Sequence, residues 1–108
     1  MEVKIGCDIV AISRVEKLGK KALLKIFHES EIRNSKIESI AGMFAAKECC
    51  RKVFNGLQWH DITVRKMKDG KPKISISHSK ISGKIMSSDV SISHDGGYAI
   101  AASVFLFE

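Results

Sequence analysis

The sequence predicts an α+β fold in which an antiparallel sheet packs with a long central helix, and three observations carry that prediction. Residues 3–10, 62–67, 73–77, 90–94 and 98–107 alternate large apolar with polar or small side chains, the period of two that a strand imposes. Two segments, from residue 12 to 27 and from the middle thirties to 54, space their apolar side chains three and four apart, as a helix does. The helices come after the first strand and the other four strands follow as a group, an order that gives α+β rather than alternating α/β. The 108 residues show no repeat and no linker, so residues 1–108 read as one domain.

The first strand puts Val3, Ile5, Cys7 and Ile9 on one face and Lys4, Gly6, Asp8 and Val10 on the other. Gly6 leaves room beside Asp8 for a close approach. Aspartate is a poor strand residue. Its ordinary explanation is a strand end or turn, and its functional one is a ligand. Ser13 reads as an N-cap, with Glu16 completing a capping box, for a helix running to about Phe27. Its inner stripe is Ile12, Val15, Leu18, Ala22 and Ile26. A second stripe holds Arg14, Lys17, Lys21 and Lys25 with no acid among them. Such a row is commonly a solvated face; it also suits an anionic surface docking there.

A short helical turn is expected at Ser30-Glu31, then a break at Asn34-Ser35. The central helix should stop near Phe54, where Asn55-Gly56 supplies a residue suited to a left-handed terminus. Trp59-His60-Asp61 leads into a strand over 62–67, Asp69-Gly70 turns, and 73–77 returns as a hairpin with Pro72 at the loop exit. Residues 78–88 read as a loop. The strands over 90–94 and 98–107 are joined by a turn at Asp95-Gly96-Gly97. The last strand carries Ile100, Val104 and Leu106 on one face and Phe105 and Phe107 on the other. It should therefore be central in its sheet or covered by another chain.

Net charge is +6, which favours anionic partners: nucleic acid, an acidic protein or a phosphorylated small molecule. Aromatic residues make up only 6% and are not interleaved with the basic ones, which argues against a nucleic-acid module. No apolar run is long enough to span a membrane, and Met1-Glu2-Val3-Lys4 does not open a signal peptide. Three cysteines, Cys7, Cys49 and Cys50, lack metal-ligand spacing and fit a reducing cytoplasm. His28, His60 and His78 are expected at the surface, and the cysteines and histidines offer no zinc pattern.

On the central helix Ile37, Ala41 and Phe44 form a stripe whose next position is Glu48. A helix turns its apolar stripe inward, so this carboxylate is expected at or beside the core and needs a partner. Arg51 and Lys52, three and four residues on, are the ordinary candidates. A metal shared with Asp8 is the other. Two carboxylates on separate elements, flanked by Lys47, Arg51 and Lys52, are the protein share of a Mg²⁺–diphosphate site.

Gly6-Cys7-Asp8 followed by Ser13-Arg14, then Ala41-Gly42-Met43-Phe44-Ala45-Ala46-Lys47-Glu48, then Ser91-Ile92-Ser93-His94 with Tyr98-Ala99, resemble the holo-acyl-carrier-protein synthase family. This is the small, single-domain branch of the 4′-phosphopantetheinyl transferases. Trp59-His60-Asp61-Ile62 and Gly70-Lys71-Pro72-Lys73 resemble its intervening segments, so the likeness runs from end to end. It implies transfer of the phosphopantetheine arm of coenzyme A to a serine of apo-acyl carrier protein, releasing adenosine 3′,5′-bisphosphate. It places Mg²⁺ on Asp8 and Glu48, gives Asp8, Glu48 and Lys47 catalytic roles, and brings Lys47, Arg51, Lys52, Ser93 and His94 to the coenzyme. It also implies docking of an acidic acyl carrier protein on Arg14, Lys17, Lys21 and Lys25, and a cytoplasmic homotrimer with each site at a subunit boundary. The base for the serine proton stays open between Glu48 and a water at the metal. Met43 stands where the family commonly has arginine, Cys49-Cys50-Arg51 replaces a small-aromatic-small run, and the segment 55–58 is short. The alternative is a homologue of impaired catalysis that binds the carrier protein or regulates.

Overall fold

In the structure, a computed structural model that describes residues 1–77, 79, 81 and 83–108, the chain forms an α+β domain with antiparallel sheets and one long helix. The order is β1 (Glu2–Ala11), α1 (Ile12–Glu16), α2 (Gly19–Ile26), α3 (Glu29–Ile32) and α4 (Ile37–Val53). A 3₁₀ turn at Trp59–Asp61 then leads into β2 (Ile62–Lys66), β3 (Pro72–Ile76), β4 (Ile85–Asp95) and β5 (Tyr98–Phe107).

Several features differ from the sequence reading. The first helix is split: Gly19 adopts φ +75° and separates α1 from α2. That left-handed backbone costs glycine nothing and stops the continuous stripe. Ser13 is inside α1, whose N-cap is Ala11 without a side-chain cap bond, so the capping box does not form. The strands also divide into two sheets, β1-β5-β4 and the hairpin β2-β3. Residues 85–88, expected in a loop, extend β4 with a register shift between Ile85 and Ser87. His78 and part of that expected loop lie outside the described residues.

β5 is the central strand, one of the two arrangements its apolar faces allowed. Its buried side chains are Ala99, Ala101, Ser103, Phe105 and Phe107, and α4 packs on this face. β2 and Trp59 of the 3₁₀ turn also pack against α4, while β3 packs against β4. Contacts with the sheet, α1 and β2 together leave the helix buried over most of its circumference, from Ile40 to Cys50.

β1 presents its Gly6, Asp8 and Val10 face to the helix and leaves Val3, Ile5 and Ile9 outside, Ile5 at 77% exposure. Gly6 makes this possible. A β-carbon there would lie 2.6 Å from the Cys49 carbonyl oxygen, so any side chain would push strand and helix apart. The register continues the outer apolar band onto β5, where Ile5 faces Val104 and Ile9 faces Ile100.

Candidate active site

Close contact at Gly6 brings Asp8 to the last turns of α4. Lys52 Nζ donates to the Cys7 carbonyl at 2.9 Å and to Asp8 Oδ1 at 3.0 Å. That hydrogen bond holds the Lys52 ammonium above the usual lysine range, and Glu48 adds to the effect from farther away. Glu48, one turn before Lys52, bonds Arg51 Nη1 at 3.2 Å and keeps 30% of its side chain exposed. The expected buried carboxylate is thus at the edge of the core, with an ordinary helical partner.

Arg51 is held at three points. Besides Glu48, its Nε donates to the Leu57 carbonyl at 3.3 Å, and its guanidinium lies 4.1 Å from the Trp59 ring centroid. Trp59 also stacks on Phe44 at 5.4 Å. Leu57 and Trp59 were not singled out in the sequence as site residues. Their signal was position, in the segment that follows α4, and for Trp59 also its place in the Trp59-His60-Asp61-Ile62 segment that resembles the family.

Asp8, Glu48, Arg51 and Lys52 therefore form one cluster at the C-terminal end of α4. Oxygen donors of this kind suit a hard divalent cation. Among the described residues no group of three or more Asp, Glu, His or Cys side chains converges. Two carboxylates are a number of protein ligands that Mg²⁺ accepts, since it fills the rest of its shell with water and substrate oxygens.

Lys47 does not join them, and its expected place at the phosphates is corrected. Its ammonium is fully buried and donates to Glu31 Oε1 at 2.8 Å, the Ile26 carbonyl at 2.9 Å and the Trp59 carbonyl at 3.2 Å. Burial pushes it below the usual lysine range, against the pull of Glu31. Glu31 also accepts from the His28 and Val64 backbone N–H groups at 2.7 and 2.8 Å, so both of its oxygens are bonded. The helical turn expected at Ser30-Glu31 gave no sign of a buried charge.

Ser93 and His94 lie elsewhere in the same chain. Ser93 pairs with Ile100 on the outer sheet face. His94 lines an open cleft with Glu16, Glu38 and Asp95, a set that repels phosphate. Glu38 and Glu48 are ten residues apart on α4, about 15 Å along its axis. One chain does not gather all the residues expected around the coenzyme.

Arg14, Lys17, Lys21 and Lys25 are all exposed, and none is in an ion pair among the described residues. The break at Gly19 divides the row between α1 and α2. His60 is exposed and His28 half-buried, their rings 4.6 Å apart. All three cysteines are free. Burial pushes the thiols of Cys49 and Cys50 up to about 11 and about 12, which makes them poor nucleophiles.

The family model for the 4′-phosphopantetheinyl transferase superfamily matches residues 4–103. The chain is 38% identical to the holo-[acyl-carrier-protein] synthase of a Sulfurovum species, with 98% of each chain covered. It is 41% identical to that of Nautilia profundicola, covering 94% of this chain and 98% of the relative. The crystal structure of Helicobacter pylori holo-[acyl-carrier-protein] synthase in complex with coenzyme A superposes with a TM-score of 0.85 at 39% identity. That match covers 95% of this chain and all of the other. With a family match over nearly all of its length and relatives at this level of identity, the chain belongs to the 4′-phosphopantetheinyl transferase superfamily.

Proposed function

We propose that this protein moves the 4′-phosphopantetheine arm of coenzyme A onto a serine of apo-acyl carrier protein and releases adenosine 3′,5′-bisphosphate, the activity of a holo-acyl-carrier-protein synthase. The observation that carries this reading is the cluster at the end of α4, where Lys52 bridges the Cys7 carbonyl and Asp8 one turn from Glu48. Asp8 and Glu48 would hold Mg²⁺, which when bound neutralises the diphosphate and the charge that develops on it. Lys52 and Arg51 place fixed positive charge where the same oxygens would lie. Phosphoryl chemistry of this type needs positioning and charge stabilisation more than covalent help, and the four side chains supply both. Arg14, Lys17, Lys21 and Lys25 form the docking surface for the acidic carrier protein, steering it by charge. The free cysteines suit the reducing cytoplasm where we place the reaction.

The same reading makes the protein a homotrimer with each site at a subunit boundary. The family resemblance supplies the number three. Two observations support sharing: the bare apolar outer face of the β1-β5-β4 sheet, and the placement of Ser93 on that face and of His94 in the cleft with Glu16, Glu38 and Asp95, whereas Asp8 faces α4. A neighbour's Ser93 and His94 would then complete the coenzyme wall.

The test is mass spectrometry of apo-acyl carrier protein after incubation with the enzyme, coenzyme A and Mg²⁺. A gain equal to the phosphopantetheine arm is expected. An unchanged mass, with carrier protein still bound, would establish the regulatory alternative. Sedimentation equilibrium at micromolar concentration reads the assembly: a monomer that transfers the arm overturns the shared site, and a dimer refutes the three-fold arrangement.

A further inference from the structure

The cluster at the end of α4 is electrically closed. Two carboxylates, Asp8 and Glu48, are matched by two cations, Lys52 and Arg51, each in an ion pair. A bare divalent cation therefore meets a site with no net negative charge, where a positive group already holds one oxygen of each carboxylate, Oδ1 of Asp8 and Oε1 of Glu48. The two cations are held differently. Lys52 is anchored to β1 through both Cys7 and Asp8. Arg51 is pinned by groups that do not take part in charge pairing, the Trp59 ring and the Leu57 carbonyl. Of the five guanidinium N–H donors, one serves Leu57 and one serves Glu48. The others are available without giving up the stack on Trp59.

We propose that Arg51 is a positioning residue that makes metal loading depend on the coenzyme. In the free protein its guanidinium holds Glu48. When a diphosphate arrives, the guanidinium keeps its stack on Trp59, turns its fork to a diphosphate oxygen and frees Glu48 for the metal. Metal and coenzyme then enter as a pair, because the anion that draws Arg51 away is the same anion that completes the metal's ligands. A planar fork on an aromatic platform suits this turn; a lysine has no such platform geometry. The inference rests on the metal-site reading of Asp8 and Glu48.

Removing the charge at position 51 should move two affinities in opposite directions, which a merely structural role does not do. Calorimetric titration with MgCl₂ alone is expected to show Arg51→Met binding Mg²⁺ about two- to fivefold more tightly than wild type, the size of an exposed ion pair. Titration with coenzyme A at fixed Mg²⁺ should show binding about tenfold weaker, from one lost charge-assisted hydrogen bond. Arg51→Gln, which keeps hydrogen bonding without charge, should shift both affinities the same way and covers a failure of Arg51→Met to fold. If both affinities fall together, or neither changes, the proposal is wrong. Glu48→Gln separates this failure from that of the underlying reading. Mg²⁺ binding that survives Glu48→Gln refutes the metal site itself. Its loss there, without opposite shifts at position 51, refutes only the role of Arg51.

Discussion

Lys47 and Lys52 are five residues apart on one helix, each donates to a carboxylate, and they serve different ends. Around Lys47 every donor is used and both Glu31 oxygens are bonded: three ammonium donors meet Glu31 and two backbone carbonyls, and Glu31 accepts two further N–H groups. An ion pair taken out of water is tolerable only when so completely bonded. It ties the end of α2, the α3 turn, the 3₁₀ turn and β2 to the central helix. Lys52–Asp8 and Arg51–Glu48 have the same chemistry with one side left to solvent, so an incoming charge can compete for them. Enclosure turns a charge pair into architecture, and an open side leaves it free to respond to an incoming charge.

That contrast is broken most sharply at Lys47. Lys47→Met should cost about 3–5 kcal/mol of stability, since it strands Glu31 in the core. Urea denaturation measures this, and a loss below about 1 kcal/mol would put Lys47 in the exposed class. Adding Glu31→Leu should restore only part, because the His28 and Val64 N–H groups would lose their acceptor. At the open pairs the expectation reverses. Asp8→Asn or Glu48→Gln should lower kcat/KM about 10²–10³-fold while leaving the urea midpoint nearly unchanged. The double variant should be little worse than the poorer single one, since both break one site. Near-normal turnover of both single variants at limiting Mg²⁺ would remove the metal assignment.

Gly6→Ala links the two classes. Its methyl group meets a backbone oxygen, so it should cost about 1–3 kcal/mol and also lower activity by moving Asp8. Full activity in a destabilised Gly6→Ala protein would show that Asp8 does not depend on this contact. The smallest effect belongs to charges with no ion-pair partner among the described residues. Lys21→Glu should raise the KM for carrier protein about tenfold, leave that for coenzyme A unchanged, and make the reaction less sensitive to salt. Equal changes in both KM values would move the basic row to the coenzyme.

Much of this was legible in the sequence. β5 was found over its full length, because its alternation is long and its turn residues are unambiguous. Asp8 stood out as an odd strand residue beside a glycine, and Gly6 proved to be the contact point. What the sequence could not give was which face of β1 turns inward. Period two identifies two faces but does not rank them, and here the more apolar one is outside. Lys47 was misjudged for a related reason. Neighbours on a helix diverge by about 100°, so Lys47 and Glu48 in one motif face different surroundings. The acid that claims Lys47 lies sixteen residues away in a polar segment with no periodic signal. Gly19 was read through as part of one helix because an isolated glycine is often tolerated there.

The apolar outer band of the sheet has a consequence for how the protein behaves in solution. Ile5, Ile9, Ile100 and Val104 are a cost to the isolated chain and a gain once covered. If like chains cover them, stability and catalysis become functions of protein concentration by mass action. Specific activity, a constant for a self-contained monomer, should then fall on dilution through the dissociation range and return when the protein is concentrated again. The amount of this protein made would set how much product forms and also what fraction of the chains is active.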